Sequence, residues 1–144
     1  MIKDAKKKAW DQFSKYVRLR DSIATTGTTD KCRCVTCGKI NPTKMHTHAG
    51  HVIPGRTAGI LFDERGVNGQ CRWCNRRGGQ QAKYQKWYIR KHGLEAFDDM
   101  VRRRNKSHRW DVPTLEGIEA HYAEKTKLLL SAFNCGKMPG AEEF

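Results

Sequence analysis

The first stretch of the chain has the apolar spacing of an amphipathic helix. Trp10, Phe13 and Val17 fall at positions i, i+3 and i+7, which places them on one helical face. Lysines and arginines occupy many of the intervening positions, and the segment TTGTTD at 25–30 is typical of a helix end. The pattern therefore predicts a basic helix over residues 1–26.

Further helices are predicted in the second half of the chain. Segments 80–92 and 94–105 carry apolar residues at helical spacing, and Gly93 between them is a typical stop. A longer helix is predicted to begin with Thr114 as its N-cap and to continue to about residue 132.

The middle of the chain has no helical period and predicts loops and short strands. It holds five of the six cysteines and three of the six histidines. Apolar residues are too few there to build a core, so something else must hold the segment together. We expect one compact α+β domain with a basic helix at 1–30, this core at 31–79, helices at 80–133 and a tail at 134–144.

The net charge of the chain limits which class of molecule it is expected to bind. The 144 residues include 28 Lys and Arg against 15 Asp and Glu, a net charge of +13. Such a charge favours a polyanion, first nucleic acid and only distantly an anionic membrane surface, although a basic protein without a specific ligand stays open. No apolar run could span a membrane and no apolar signal follows Met1, so we expect a soluble, cytoplasmic protein.

Two C-x-x-C pairs predict a metal site. Cys34 and Cys37 form the first pair, and Cys71 and Cys74 form the second. A two-residue spacer lets both thiolates of a pair reach one ion. Disulfides are disfavoured in the cytosol, and a redox motif needs only one such pair. We therefore predict a structural Zn²⁺ held by these four cysteines, with Cys32 as an alternative to Cys34.

Between and after the cysteine pairs stand His51-Val-Ile-Pro54 and Asn75. This arrangement resembles the HNH nuclease motif, a ββα-metal fold in which an H-x-x-P strand carries the general base. The resemblance implies His51 as base and Asn75 as a ligand of a catalytic Mg²⁺ or Mn²⁺. Imidazole can take a proton from water near neutral pH, and a divalent cation can bind both a nonbridging and the leaving phosphodiester oxygen.

The sequence departs from the HNH pattern at two positions. Gly50 stands where most HNH proteins have Asp or His, and glycine has no side chain to bind metal. Alternate residues of a strand share a face, so we predict His48 as the substitute ligand, which suits Mn²⁺ better than Mg²⁺. Gly66 occupies the usual place of the middle Asn. Asn68 is the candidate for that catalytic position; the alternative is that no residue fills its orienting role.

Basic and aromatic residues surround the predicted cation site. Guanidinium groups bind phosphate in bidentate geometry, so nearby arginines are predicted to position a DNA backbone. The four candidates are Arg56, Arg72, Arg76 and Arg77. Trp73 lies inside the second cysteine pair and has two interpretations: packing on the zinc loop, which is the more common, or stacking on an unpaired base.

A longer series of motifs covers residues 9–77. The motifs are Ala9-Trp10, Phe13 to Asp21, Cys34 to Gly38, His48 to Arg56, Phe62 to Arg65, and Gly69 to Asn75. In order and spacing the series resembles the NinG/Rap recombination proteins of lambda-like phages, in which a glycine before the base is expected. The resemblance implies a structure-selective endodeoxyribonuclease that cleaves branched recombination intermediates, such as Holliday junctions and D-loops.

We therefore expect a zinc-framed ββα-metal (HNH) core with flanking N- and C-terminal α-helices. Two other functions stay open: a sequence- or nick-directed HNH endonuclease on linear duplex DNA, and a non-catalytic, zinc-stabilised DNA-binding module. Gly50 and Gly66 keep the second of these open. A four-way junction has twofold-like symmetry, so coordinated cleavage predicts a homodimer through the flanking helices. A phage-encoded protein of this kind would act in the host cytoplasm.

Overall fold

The computed structural model describes residues 1–54, 58–76 and 80–137, which form an α+β arrangement of helices around two small sheets. The helices are α1 (Ile2–Thr26), α2 (Thr43–His46), α3 (Arg72–Arg76), α4 (Gln81–His92), α5 (Leu94–Asn105) and α6 (Val112–Asn134), with a 3₁₀ turn at Ala58–Ile60. The strands are β1 (Lys31–Arg33), β2 (Ile40–Pro42), β3 (Thr47–His51) and β4 (Val67–Cys71). None of the described helices is long and apolar enough to cross a membrane.

The long N-terminal helix is confirmed. It ends at Gly27, whose φ of 72° is left-handed and whose N–H donates to the Ile23 carbonyl. Phe13 and Val17 are fully buried, and Trp10 is half-buried beside them. This apolar face packs mainly against α6, so the first and last helices of the fold lie together.

Helices α4 and α5 are confirmed within one residue of their predicted bounds, whereas α6 begins earlier than predicted. Its N-cap is Asp111, not Thr114: the Asp111 carboxylate accepts a hydrogen bond of 2.7 Å from the Thr114 N–H. Pro113 lacks an N–H and has a φ suited to the first helical turn, so the helix includes it and the cap precedes it.

Two apolar clusters cover the β3–β4 hairpin. The first joins α1 and α6 to Ala49 of β3 and Val67 of β4. The second joins Tyr84 and Tyr88 of α4 and Met100 of α5 to the loop after β3. The hairpin is short, and these helical clusters supply the burial that its own residues lack.

A buried arginine ties α1 to β4. Arg20 is 4% exposed, pairs with Asp21, and donates at 2.8 Å to the carbonyls of Glu64 and Val67. The Asp21 carboxylate also accepts the Gly69 N–H at 2.7 Å. Each charge is paired and hydrogen-bonded, as burial requires, so these contacts fix the hairpin on the helix.

Candidate metal centre and adjoining cleft

The four predicted cysteine ligands meet at one point. Their sulfurs all lie within 4.8 Å of one another, and the Cys37 and Cys71 sulfurs are 3.8 Å apart. A tetrahedral site with Zn–S bonds of about 2.3 Å has S–S edges of about 3.8 Å. Cys34, Cys71 and Cys74 are buried and Cys37 is half-buried. The donors and their spacing therefore fit a structural Zn²⁺ with complete coordination by sulfur.

Backbone N–H groups point at the sulfurs in both pairs. Thr36 and Cys37 donate to the Cys34 sulfur at 3.4 and 3.5 Å, and Cys74 donates to the Cys71 sulfur at 3.5 Å. Gly38 closes the first turn with a φ of 77°. These donors stabilise the negative charge that the thiolates would carry.

The ionisation of the four thiols favours a cation at this cluster. Burial opposes ionisation of Cys34, but backbone N–H groups of Cys37, Cys71 and Thr36 outweigh it and lower its pKa. Burial raises the pKa of Cys71 and of Cys74, and the charge of Cys34 raises both further. Neighbouring thiolates repel one another, so a bound cation is what allows the whole set to ionise.

Cys34, rather than Cys32, completes the first pair. The Cys32 thiol is buried on β1, facing Gly69 of β4, and lies outside the four-sulfur cluster. Burial raises the pKa of Cys32 to about 11, so this thiol stays protonated at neutral pH. Its contact with the hairpin is one of packing.

A strand–strand–helix unit places the predicted catalytic residues together. β3 pairs antiparallel with β4, from Thr47 opposite Cys71 to His51 opposite Val67, and α3 follows β4 without a break. An open cleft of about 580 Å³, here called the histidine cleft, lies beside this unit. Its lining includes Trp10, Ser14, Arg18, Lys44, Met45, His48, His51, Asn75 and Arg76.

His48 and Asn75 contact each other in this cleft. The Asn75 amide donates to His48 Nδ1 at 3.0 Å, so the two residues predicted as cation ligands are brought together. Burial lowers the pKa of His48, and the charges of Arg76 and Arg18 lower it further. Its imidazole is therefore neutral at physiological pH, the form that binds metal. In this contact the amide nitrogen faces His48, so a divalent cation would bind the imidazole nitrogen together with the Asn75 oxygen only after the amide rotates.

The His51 ring is held from two sides. Its Nε2 lies 3.1 Å from the Leu61 carbonyl oxygen, and its ring stacks on Trp10 with centroids 5.2 Å apart. A carbonyl oxygen only accepts hydrogen bonds, so Nε2 carries the proton in this contact. Nδ1 is then the nitrogen that accepts a proton when the ring acts as a base.

Gly50 is a packing requirement. A side chain at this position would overlap the Gln70 amide, which is buried and donates to the Thr36 hydroxyl at 2.9 Å. The Gly50 carbonyl accepts a hydrogen bond of 2.7 Å from the Tyr84 hydroxyl. The departure of this position from the general HNH pattern therefore has a local steric cause.

Asn68 does not line the histidine cleft. Its side chain is buried; its amide donates to the Arg65 carbonyl at 3.0 Å and to the Tyr84 hydroxyl at 3.1 Å. Its oxygen accepts from Arg20 at 3.3 Å. Direct contact with reacting atoms does not fit this burial, whereas the orienting role stays a prediction, because Tyr84 in turn bonds to Gly50 beside His51.

Two of the four predicted arginines line clefts in the structure. Arg76 lines the histidine cleft, and Arg72 and Arg76 both line a second cleft, here called the tryptophan cleft. The tryptophan cleft is defined by Asn41, His46, Cys71, Arg72, Trp73 and Arg76. Arg56 and Arg77 lie outside the described residues. Trp73 is 68% exposed, so its indole does not bury itself on the zinc loop.

Sequence reasoning missed two basic residues of the histidine cleft. Arg18 reaches it from α1 and Lys44 from α2. The signal for Arg18 was present, because Trp10, Ser14 and Arg18 are spaced i, i+4 and i+8 and share a helical face. Lys44 carried no such signal, since the position of α2 depends on the strands around it.

Comparison with known proteins agrees with the motif series. The family model of the bacteriophage lambda NinG protein matches residues 2–131, from α1 through most of α6. No similar protein was found among curated sequences or among solved structures. The match includes both cysteine pairs and every described residue of the histidine cleft. The chain therefore belongs to the bacteriophage lambda NinG protein family.

Proposed function

We propose that this protein is a metal-dependent DNA endonuclease that hydrolyses phosphodiesters in branched recombination intermediates, including Holliday junctions and D-loops. The observation that carries the proposal is the meeting of His51, the His48–Asn75 pair and Arg76 in one open cleft beside a closed four-sulfur site. A base, two neutral cation ligands and a phosphate-binding cation are the groups that phosphodiester hydrolysis needs.

His51 acts as the general base. Its Nδ1 takes a proton from the attacking water, and the Leu61 carbonyl stabilises the imidazolium through Nε2. Stacking on Trp10 keeps the ring plane fixed during the transfer. The neutral tautomer is thereby set before substrate arrives.

His48 and Asn75 would hold the divalent cation. When bound, Mg²⁺ or Mn²⁺ supplies positive charge to the nonbridging and leaving oxygens of the phosphodiester. No acidic side chain is among the described residues lining the histidine cleft, so the substrate phosphate is the anionic ligand there. We therefore expect tighter cation binding with DNA present, and better activity with Mn²⁺ because of the imidazole ligand.

Arg18, Lys44 and Arg76 position the DNA backbone. Such contacts depend on charge and shape rather than base sequence, which suits a structure-selective enzyme. The four-cysteine site supports this arrangement, because Cys71 at the end of β4 and Cys74 within α3 hold the junction between the strand and the helix. The preference for branched DNA follows from the NinG family resemblance.

Nicking assays test the proposal. Wild type and His51→Ala are compared on a four-way junction, a D-loop and a linear duplex with Mg²⁺ or Mn²⁺. Loss of the base is expected to slow cleavage by about 10²–10⁴-fold without weakening DNA binding. His121→Ala, which removes an exposed histidine on α6, is the matched control and should cut normally.

Other outcomes favour the alternatives. Equal cutting of junction and linear duplex would favour a sequence- or nick-directed endonuclease. Normal binding with no cutting by wild type under any metal would favour a DNA-binding module. Symmetric junction cleavage calls for two clefts, so sedimentation should detect two copies on one junction; a monomer on and off DNA would contradict the homodimer.

A further inference from the structure

Two large apolar side chains are exposed to solvent, one lining the histidine cleft and the other lining the tryptophan cleft. Met45 of α2 is 72% exposed and Trp73 of α3 is 68% exposed. Among the described residues, only the terminal Met1 is a more exposed large hydrophobic. An exposed indole and an exposed thioether beside basic clefts offer surfaces on which a flat, apolar group can pack.

The two clefts that these side chains line share an arginine. Met45 lines the histidine cleft, Trp73 lines the tryptophan cleft, and Arg76 lines both. Arg76 also directly follows Asn75, one of the two proposed cation ligands. A DNA strand whose reacting phosphate lies at Asn75 and Arg76 can extend into both clefts, where Met45 and Trp73 are exposed.

The charges around them restrict what the ligand can be. No acidic residue is among the described residues lining either cleft, whereas Lys44, Arg72 and Arg76 are basic. An apolar peptide would leave these cations unmatched. A DNA strand presents phosphates to the cations and a flat base to the apolar side chains, but only where the base is unpaired and unstacked.

We propose that Trp73 and Met45 form a subsite for an unpaired DNA base next to the scissile phosphate. The indole stacks on the base, the thioether of Met45 fills the gap left in the base stack, and Arg72 and Arg76 bind flanking phosphates. The inference rests on the proposed function for its substrate. It adds the chemical group by which a branch point is distinguished from continuous duplex, where every base is covered by its neighbours.

Binding without divalent cation tests the subsite separately from cleavage. The zinc-loaded protein is titrated with single-stranded oligothymidylate and with a blunt duplex of equal length. Trp73→Ala should weaken single-strand binding about tenfold and leave duplex binding unchanged, since one stacked base contributes about that much. Trp73→Phe should restore most of the loss, and Met45→Ala should show a smaller loss of the same selectivity.

Leu128→Ala is the matched control, because it removes an exposed apolar side chain on α6 that lines neither cleft. Equal losses on single strand and duplex, or no loss with Trp73→Ala, would overturn the subsite. If Trp73→Ala loses zinc, Met45→Ala decides, and an unchanged single-strand preference there overturns the proposal. A wild type that binds single strands through Trp73 but never cuts would refute the nuclease function alone.

Discussion

The four-cysteine cluster and the histidine cleft share one short helix, α3, yet they differ in burial and in the donor atoms that they offer. Cys74 and Asn75 are consecutive residues of α3; Cys74 is buried and Asn75 is exposed. The cluster is closed and offers only sulfur, whereas the cleft is open and offers nitrogen and oxygen. Complete coordination suits a structural ion, and open positions suit a catalytic one.

The dependence between the two regions runs in one direction. Helix α3 has five residues, too few to be stable alone, and two cysteines fix its start and centre. We therefore expect Asn75 to keep its contact with His48 only while the four sulfurs hold a metal ion. In the described part of the chain no hydrogen bond joins Asn75 or His48 to a cysteine sulfur, so damage to the cleft should leave a bound metal ion in place.

The largest effect is expected from breaking the cluster. Cys74→Ser should abolish stable folding of the middle segment, because structural zinc contributes about 10–16 kcal/mol in small zinc-dependent domains. Zinc content by atomic absorption, melting temperature and junction cleavage should all fall together. A chelator strong enough to remove zinc from the wild type should reproduce the same loss.

The adjacent substitution Asn75→Ala provides the comparison. It should keep zinc content and melting temperature, and raise the Mn²⁺ concentration needed for half-maximal cleavage by at least about tenfold. Loss of zinc in Asn75→Ala, or full cleavage by Cys74→Ser, would show that the two regions are not separated as described.

A second, smaller effect should come from the contact that joins the two regions. The Gln70 amide donates a hydrogen bond to Thr36, which lies between Cys34 and Cys37, and the Gln70 side chain fills the space beside Gly50 of β3. Gly50→Ala forces a methyl group into this buried amide and should cost about 3 kcal/mol. Urea denaturation measures the loss, and zinc affinity and cleavage should both weaken.

Gly66→Ala is the control for Gly50→Ala. An added methyl group there meets the flexible end of the Met100 side chain, which can move. Its cost should be clearly smaller. If both substitutions destabilise equally, the close packing of Gln70 on Gly50 is not the cause.

A third substitution separates positioning from reaction. Asn68→Ala removes bonds to Arg20, the Arg65 carbonyl and Tyr84, and should lower the free energy of unfolding by about 2 kcal/mol. Because Asn68 lies outside the cleft, cleavage at low temperature should fall far less than in His51→Ala. A loss of rate equal to that of His51→Ala, with unchanged stability, would place Asn68 among the reacting residues.

The helices and the zinc ligands could be predicted because their signals are local. Spacing of Phe13 and Val17 predicted α1, and two C-x-x-C pairs predicted the cluster. Strand alternation indicated His48, the HNH resemblance indicated Asn75 after the second C-x-x-C pair, and the two side chains contact each other. The cap of α6 was missed because Asp111 and Thr114 are both common caps, and only the place of Pro113 in the first turn decides between them.

The buried polar contacts could not be predicted. Arg20 looks like any basic residue of α1 in the sequence, but its guanidinium is buried and bonds to carbonyls some forty residues away. The reason for Gly50 was hidden in the same way, because Gln70 reaches it only through the β3–β4 register. Long-range pairing sets these roles, and no spacing rule encodes it.

The smallest effect concerns a residue outside both regions. Glu64 accepts hydrogen bonds from Tyr122 and Lys125 at 2.9 Å and ties the loop before β4 to α6. Burial opposes its ionisation, but these bonds outweigh it and lower the pKa of Glu64. Glu64→Gln should cost no more than about 1 kcal/mol at neutral pH, because the pair is partly exposed, with no change in zinc content.

The pH dependence of this difference is a sharper test than its size. A carboxyl whose pKa is lower in the folded protein stabilises the fold above its unfolded pKa, about 4.3, and this contribution is lost as pH falls through the lowered value. Protonated Glu and Gln then present similar groups to Tyr122 and Lys125, so the two urea curves should converge in acid. Other carboxylates titrate equally in both proteins and cancel in the comparison. A difference that persists or grows in acid would show that Glu64 stabilises α6 by packing rather than by charge.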